Sequence, residues 1–321
     1  MVEEGRQPFF CAEHIHALYG TGFALTDVSF EAEAGALTAL LGANGSGKTT
    51  LLRAICQQMK HEGRCFLTAA QAGREPFFRQ GSAGCAGSEL SGTGRGSGRA
   101  AVSGESSGCG AICRVPLEEL SLRSLARAVS YLPQRGGIFM RISVLDMVLM
   151  GFHPVLGLLE RPDRAKRRQA QAALEAVGLA GMEGRDYQSL SEGQKRLVLL
   201  ARLSVEDARL LVLDEPDGAL DFPNRYGMIK KIAGLVRGQK RAAILSLHDP
   251  MLALEFCSQI ILLKDGRVTG IINPMRDRIC EMEEALREIY GPLTLAVCSG
   301  KDGRKHLVLL VEEEGQMRSI F

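Results

Sequence analysis

No stretch of this sequence stays apolar for the ~20 residues a bilayer span requires, so a transmembrane helix is not expected. Neither sign of charge dominates: 39 Lys and Arg stand against 37 Asp and Glu, a formal net charge of +2. That balance provides no broad basic field, and nucleic acid is not an expected partner. The nine cysteines include no C-x-x-C pair. Cys109 and Cys113 lie in a Gly/Ser-rich stretch without accompanying histidines, which makes a poor metal site. Reduced thiols in a cytosolic protein are the expectation. Residues 1–8 are acidic and polar, without the basic and apolar parts of a secretory leader. What remains is an ordinary globular composition, 45% apolar and 24% charged over 321 residues. That length suits one large domain or two modest ones.

What is present centres on Gly42, Ala43, Asn44, Gly45, Ser46, Gly47, Lys48, Thr49 and Thr50, which fit the phosphate-loop pattern G-x-x-x-x-G-K-[ST]. The apolar run 36–41 before it reads as a buried strand, and residues 51–55 after it as the first turns of a helix. In that context the glycines let backbone N–H groups curl around phosphates at a helix N-terminus. Lys48 adds a point charge and Thr49 a hydroxyl suited to Mg²⁺. A nucleoside triphosphate is the expected ligand.

Residues 9–41 alternate strand-like runs with turns, one of them at Tyr19–Gly22. Residues 73–113 are dominated by Gly, Ser and Ala, a composition too poor in apolar surface to offset its ordering entropy, and read as a flexible surface insertion. Order returns with an amphipathic segment at 117–127 and a strand at 128–132 that Pro133 ends, with Gln134 on the following loop. Residues 138–202 read as mostly helical, including a basic-faced helix at 164–177. Leu190-Ser191-Glu192-Gly193-Gln194 then opens another helix, with Ser191 a good N-cap. The apolar run 210–213 ends in Asp214-Glu215-Pro216, which places two carboxylates at a strand's C-terminal edge, where open α/β sheets hold ligands. Asp221 follows on a loop before a helix at 224–236. A further buried strand at 242–247 ends at His248. A helix at 252–257 and a hairpin turning at Asp265-Gly266 come next. A helix at 280–290 and two strands at 293–298 and 306–311 read as a small C-terminal appendage, 276–321.

Singly these elements are weak signals; in this order they resemble one family, the ATPase subunits of ATP-binding cassette (ABC) transporters. The resemblance covers roughly residues 9–275, and its discriminating element is the L-S-x-G-Q segment at Leu190–Gln194. It implies an α/β fold with a RecA-like phosphate-loop NTPase core, an antiparallel β edge, and a helical subdomain at about 135–203. It also implies roles at matching positions. Tyr19 would stack on adenine, and Lys48 and Thr49 would hold phosphate and Mg²⁺. Gln134 would reach the metal and the attacking water, and Asp214 would hold Mg²⁺, partly through water. Glu215 would act as general base. His248 would contact the γ-phosphate, and Asp221 would occupy the loop after the acids. In the family ATP lies between two cassettes, so Ser191, Gly193 and Gln194 would act on the nucleotide of a second copy.

Two departures from the family pattern stand out. Glu192 occupies a usual glycine position; its side chain is expected to point outward and complement the helix dipole. Asp217 replaces the common Thr or Ser after Asp-Glu-Pro, on what reads as a surface loop. The segment Val144–Pro154 resembles importers of iron–siderophore, haem and cobalamin, with His153 where Arg is usual. The resemblance therefore implies a homodimeric ATPase on the cytoplasmic face of the membrane, bound to permease subunits and served by an extracytoplasmic binding protein. An exporter ATPase, or a soluble cassette ATPase outside transport, is the alternative.

Overall fold

The computed structural model describes residues 8–19, 23–69, 113–134, 141–157, 160–218, 220–300, 303 and 305–311. The chain opens with two long strands, β1 (Phe10–Tyr19) and β2 (Phe23–Ala32), then β3 (Leu37–Leu41), α1 (Lys48–Ile55), β4 (Glu62–Ala69) and β5 (Cys113–Pro116). A 3-10 turn, Leu117–Glu119, leads to α2 (Leu122–Ala128) and β6 (Val129–Leu132). Helices α3 (Val144–Leu149), α4 (Arg164–Val177) and α5 (Glu192–Val205) follow. The chain returns through β7 (Leu210–Asp214), α6 (Phe222–Gln239), β8 (Ala242–Ser246), α7 (Pro250–Phe256), β9 (Gln259–Lys264) and β10 (Arg267–Ile272). It continues with α8 (Ile279–Tyr290), β11 (Leu293–Ser299) and β12 (Lys305–Val311).

Strands β3, β7 and β8 are apolar along almost their whole length because the sheet they form is covered on both faces. The order of that sheet is β10-β9-β3-β8-β7-β6, and only β10 runs antiparallel to its neighbour. A separate antiparallel sheet has the order β2-β1-β4-β5. The period-2 alternation of side chains divides the interior into two clusters. Leu40, Leu210, Val212 and Ile244 face a layer that contains α1 (Leu51, Leu52, Ile55) and the antiparallel sheet (Phe10, Ile15, Val28). Leu41, Leu211, Leu213 and Leu245 face the other cores, those of α3, α5, α6 and α7. Helix α1 is thus clamped between two sheets, which fixes the loop in front of it.

The C-terminal elements contribute to that second cluster and pack on the same side. Met282, Leu286, Leu293 and Leu295 are buried in it, and Lys264 Nζ donates to the Glu288 carbonyl at 3.1 Å. The basic first half of α4 is exposed, as its charge pattern predicts. Three readings change. Strand β4 is not evident from residues 62–64, which are polar and include Gly63 at φ +91°. Cys113, placed by composition in the insertion, pairs with Ala69 as the first residue of β5. The segment 117–127 is a 3-10 turn and a short helix, because Ser121 accepts from the Ser124 N–H and starts a new N-terminus. The expected insertion at 73–112, the expected turn at 20–22 and residues 135–140, the start of the expected helical subdomain, lie outside the described residues. Among the described residues, no helix is long and apolar enough to cross a membrane.

Candidate functional site

The site is built at the C-terminal edge of the parallel strands. β3 delivers the phosphate loop, and α1 begins at Lys48 directly after it. A Cβ on Gly42 would lie 2.2 Å from the Leu263 carbonyl oxygen, so no larger residue fits there. Gly47 precedes α1 at φ +104°, a conformation that aims the first helical N–H groups into the loop. Lys48 is 7% exposed and its ammonium donates to the carbonyls of Gly42 (2.8 Å) and Ala43 (3.1 Å), bracing the loop from inside. Burial pushes its pKa down, while Glu215 and Asp214 pull it back up. Ser46 Oγ is buried with no hydrogen-bond partner. A buried ammonium, a spare hydroxyl and a helix N-terminus form a cradle that lacks an anion's worth of acceptors, and phosphate chemistry fits it.

Beside this cradle the ends of β6, β7 and β8 bring Tyr131, Gln134, Asp214, Glu215, Ser246 and His248 together. Thr49 Oγ1 donates to Asp214 Oδ1 at 3.1 Å. Asp214 is 1% exposed and also accepts from Ser246 Oγ (2.8 Å) and, at 3.5 Å, from the Tyr131 hydroxyl. This hard oxygen set, a hydroxyl beside a buried carboxylate, fits Mg²⁺. Glu215 has φ +47°, a left-handed conformation that costs a non-glycine residue roughly 1 kcal/mol or more. The strain is held by its N–H, which donates to Ser246 Oγ at 2.8 Å. Its carboxylate is engaged at both oxygens, Oε1 lying 2.6 Å from His248 Nε2 and Oε2 accepting from the Gln134 amide. Gln134 is anchored in turn by Arg196 of α5, which donates to its carbonyl at 2.6 Å.

The sequence-predicted residues fall into two groups. Lys48, Thr49, Gln134, Asp214, Glu215 and His248 converge. Ser191, Gly193 and Gln194 do not join them. Ser191 and Gln194 close a capping box on each other (3.1 and 3.3 Å) at the start of α5, on an exposed surface. Among the described residues, no hydrogen bond or ion pair links them to residues 42–50. Asp221 caps α6 through the Asn224 N–H at 3.3 Å. Tyr19 is the last residue of β1, opposite Phe23, and not a turn residue. Asn44 and Gly45 lie exposed at the loop tip, and Thr50 faces inward from α1.

Glu192 behaves as expected: its carboxylate is 67% exposed and pairs with Lys195 at 2.8 Å, within the first turn of α5. Asp217 does not. It is 4% exposed rather than on the surface, its Oδ1 lacks a hydrogen bond, and burial pushes its pKa up. Pro216 and Leu220, both buried around it, pull the loop inward. Three contributors escaped the sequence reading: Ser246, Tyr131 and Arg196. Ser246 was discoverable in principle, because parallel pairing sets it beside Asp214, the other strand-end polar residue.

Comparison with known proteins agrees with this arrangement. The family described as ABC transporter matches residues 25–85 and 90–218. The hemin import ATP-binding protein HmuV of Jannaschia sp. (strain CCS1) is 33% identical over 300 residues, covering 91% of this chain and 90% of its own. The phosphonates import ATP-binding protein PhnC of Stutzerimonas stutzeri is 30% identical over 285 residues, with coverage of 87% and 88%. Among solved structures, a chain described as a metal-chelate type ABC transporter in an inward-facing conformation superposes with TM-score 0.69. It is 20% identical and covers 95% of this chain and 99% of itself, a likeness of fold. A braced phosphate loop, paired strand-end acids and a family match across both establish that this chain belongs to the ABC transporter family.

Proposed function

We propose that this chain is the ATP-binding and ATP-hydrolysing subunit of an ABC importer. It would sit on the cytoplasmic face of the membrane against permease subunits, with an extracytoplasmic binding protein supplying cargo. Residues 1–275 form the ATPase domain in this reading, and 276–321 a small appendage. The observation that carries it is the convergence of Lys48, Thr49, Asp214, Glu215, Gln134 and His248 at one sheet edge.

Lys48, the Ser46 hydroxyl and the N–H groups of α1 bind the β- and γ-phosphates of ATP, and Tyr19 stacks on its adenine. Thr49 and Asp214, with Gln134, would hold Mg²⁺, which would supply positive charge beside the phosphates. Glu215, aimed by His248 and by the Ser246 bond to its N–H, takes a proton from the attacking water. The water oxygen bonds to the γ-phosphorus as the bridging P–O bond breaks, leaving ADP and phosphate. Ser191, the Gly193 N–H and the start of α5 complete the anion site of a second copy, with Gln194 and Asp221 beside them. Closure of the homodimer therefore precedes hydrolysis.

The 33% identity to a hemin importer subunit supports a metal-chelate cargo such as haem, an iron–siderophore or cobalamin. The 30% identity to PhnC supports phosphonate as a second reading. Glu215→Gln, purified with ATP and Mg²⁺, should run as a dimer and release almost no phosphate; release at the parent rate refutes the base assignment. Hydrolysis by the assembled transporter, stimulated by a hemin-loaded or by a phosphonate-loaded binding protein, separates the two cargo readings.

A further inference from the structure

A second cluster of chemically active side chains lies away from the nucleotide site, where the connection after α1 meets β4 and the 3-10 turn at 117–119. One donor atom each from His61, Cys65 and Glu118, a nitrogen, a sulfur and an oxygen, lie within 4.8 Å of one another. The His61 imidazole is 4% exposed. Its Nδ1 lies 3.2 Å from the Met59 carbonyl oxygen, which fixes the N–H on that nitrogen and turns the Nε2 lone pair toward the cluster. Nε2 is buried and makes no hydrogen bond, although Glu118 Oε1 is only 3.5 Å away. A lone pair facing a carboxylate is repulsive unless something positive lies between them.

The oxygen partner is held as firmly. Glu118 Oε1 accepts from the Cys65 N–H (2.7 Å) and from Gln57 Nε2 (3.2 Å). A carbonyl behind the histidine and N–H donors behind the carboxylate are the supporting contacts that orient metal ligands. The Cys65 side chain is fully buried beneath them. A cleft of about 550 Å³, lined by Gln57, Gln58, Met59, Lys60, His61 and Glu118, opens onto the cluster from solvent. It reaches two of the three donors, His61 and Glu118, from solvent.

We propose that His61 Nε2, Cys65 Sγ and Glu118 Oε1 form a binding site for a divalent transition metal of the Zn²⁺ type. One imidazole nitrogen, one thiolate and one carboxylate suit a four-coordinate, borderline-soft ion; Mg²⁺ and Ca²⁺ prefer all-oxygen sets. On binding, the thiol proton of Cys65, and any proton on Nε2, pass to solvent and the metal takes their place. The ion would tie together residues 53 positions apart in the chain, on either side of the segment 70–112. It would also brace the connection leaving α1, whose other end holds the phosphate loop. The proton is the rival occupant: an imidazolium at His61 would satisfy Glu118 by itself.

The test uses the full chain, freed of metal by a chelator and kept reduced and without nucleotide. Co²⁺ titration should give a thiolate-to-cobalt charge-transfer band that saturates at one ion per chain and is displaced by Zn²⁺. Zn²⁺ should raise the thermal midpoint of the same sample. Cys65→Ser should remove the band, and His61→Ala and Glu118→Gln should weaken binding by more than the roughly 100-fold that loss of a supporting contact costs. Cys280→Ser, which removes an exposed thiol, should change nothing. Should Cys65→Ser fail to fold, the other two variants carry the test through the Zn²⁺-dependent rise in midpoint. Absence of a band in the parent, or a band or midpoint rise equal in all the variants, overturns the site and leaves the protonated His61–Glu118 pair as the occupant.

Discussion

Two helix N-termini in this chain carry residues proposed to meet the nucleotide, and they are finished differently. At α1 the loop glycines, the buried Lys48 and the unpartnered Ser46 hydroxyl leave donors directed inward with few acceptors to meet them. At α5 the Ser191–Gln194 capping box satisfies its own donors, and Ser191 and Glu192 face outward. The first is a socket and the second a plug. Under the proposed function, nucleotide affinity resides in one copy of the chain, whereas turnover requires two. The sharpest ways to break this contrast act on binding and turnover separately.

The largest effect is expected at Glu215. Replacement by Gln preserves shape and the His248 and Ser246 contacts while removing the base, so turnover should fall about 10²–10⁴-fold with ATP binding retained. Phosphate-release kinetics beside equilibrium nucleotide binding check it. Next comes Lys48→Ala, expected to weaken ATP binding by the monomer about 100-fold or more, because a preorganised charge in a buried loop is lost. Loss of turnover with unchanged affinity would mean that the socket does not depend on its lysine.

Ser191→Ala tests the plug. If α5 acts on a second copy, monomer affinity for ATP should stay at the parent value while turnover falls about 10²-fold. The lost cap should also cost about 1 kcal/mol of stability. The cap and the donor are separable: Ser191→Asp restores the cap and leaves a negative charge where a phosphate should approach. Recovery of turnover in that variant would show that Ser191 serves only as a cap.

The contrast also marks what could be read without coordinates. The strands at β3, β7 and β8 were legible because burial on both faces leaves unbroken apolar runs, and the acids at the end of β7 follow from where that strand stops. Strand β4 was not, since it starts with polar residues around Gly63 and relies on pairing with β1. The socket's supports were hidden for a related reason. Ser246 matters only because parallel register sets it beside Asp214, and Arg196 only because α5 folds back over Gln134. Partnerships across distant elements leave no local pattern. The outward Glu192 was predictable from helix electrostatics and the Gly193 beside it, whereas Asp217 was misread, because an acid on a loop ordinarily faces water.

Asp217 gives the smallest and most specific prediction. Its carboxyl is buried beside the socket with one oxygen lacking a hydrogen bond, and burial raises its pKa, opposed by its own backbone N–H and by Arg225 and His248. A raised acid favours the protonated form in the folded chain. Stability linked to it is thus fully present below the unfolded value near pH 3.9 and is lost as pH rises through the folded value. Asp217→Asn keeps the shape and removes the charge, so it should gain about 1 kcal/mol at pH 7 and close to nothing near pH 4. For a chain of 321 residues that amounts to a thermal midpoint about 1–2 °C higher at neutral pH. A gain of the same size at both pH values would point to altered packing rather than charge. No gain at pH 7 would mean that water reaches the carboxylate and that the loop beside the socket is looser than its burial indicates.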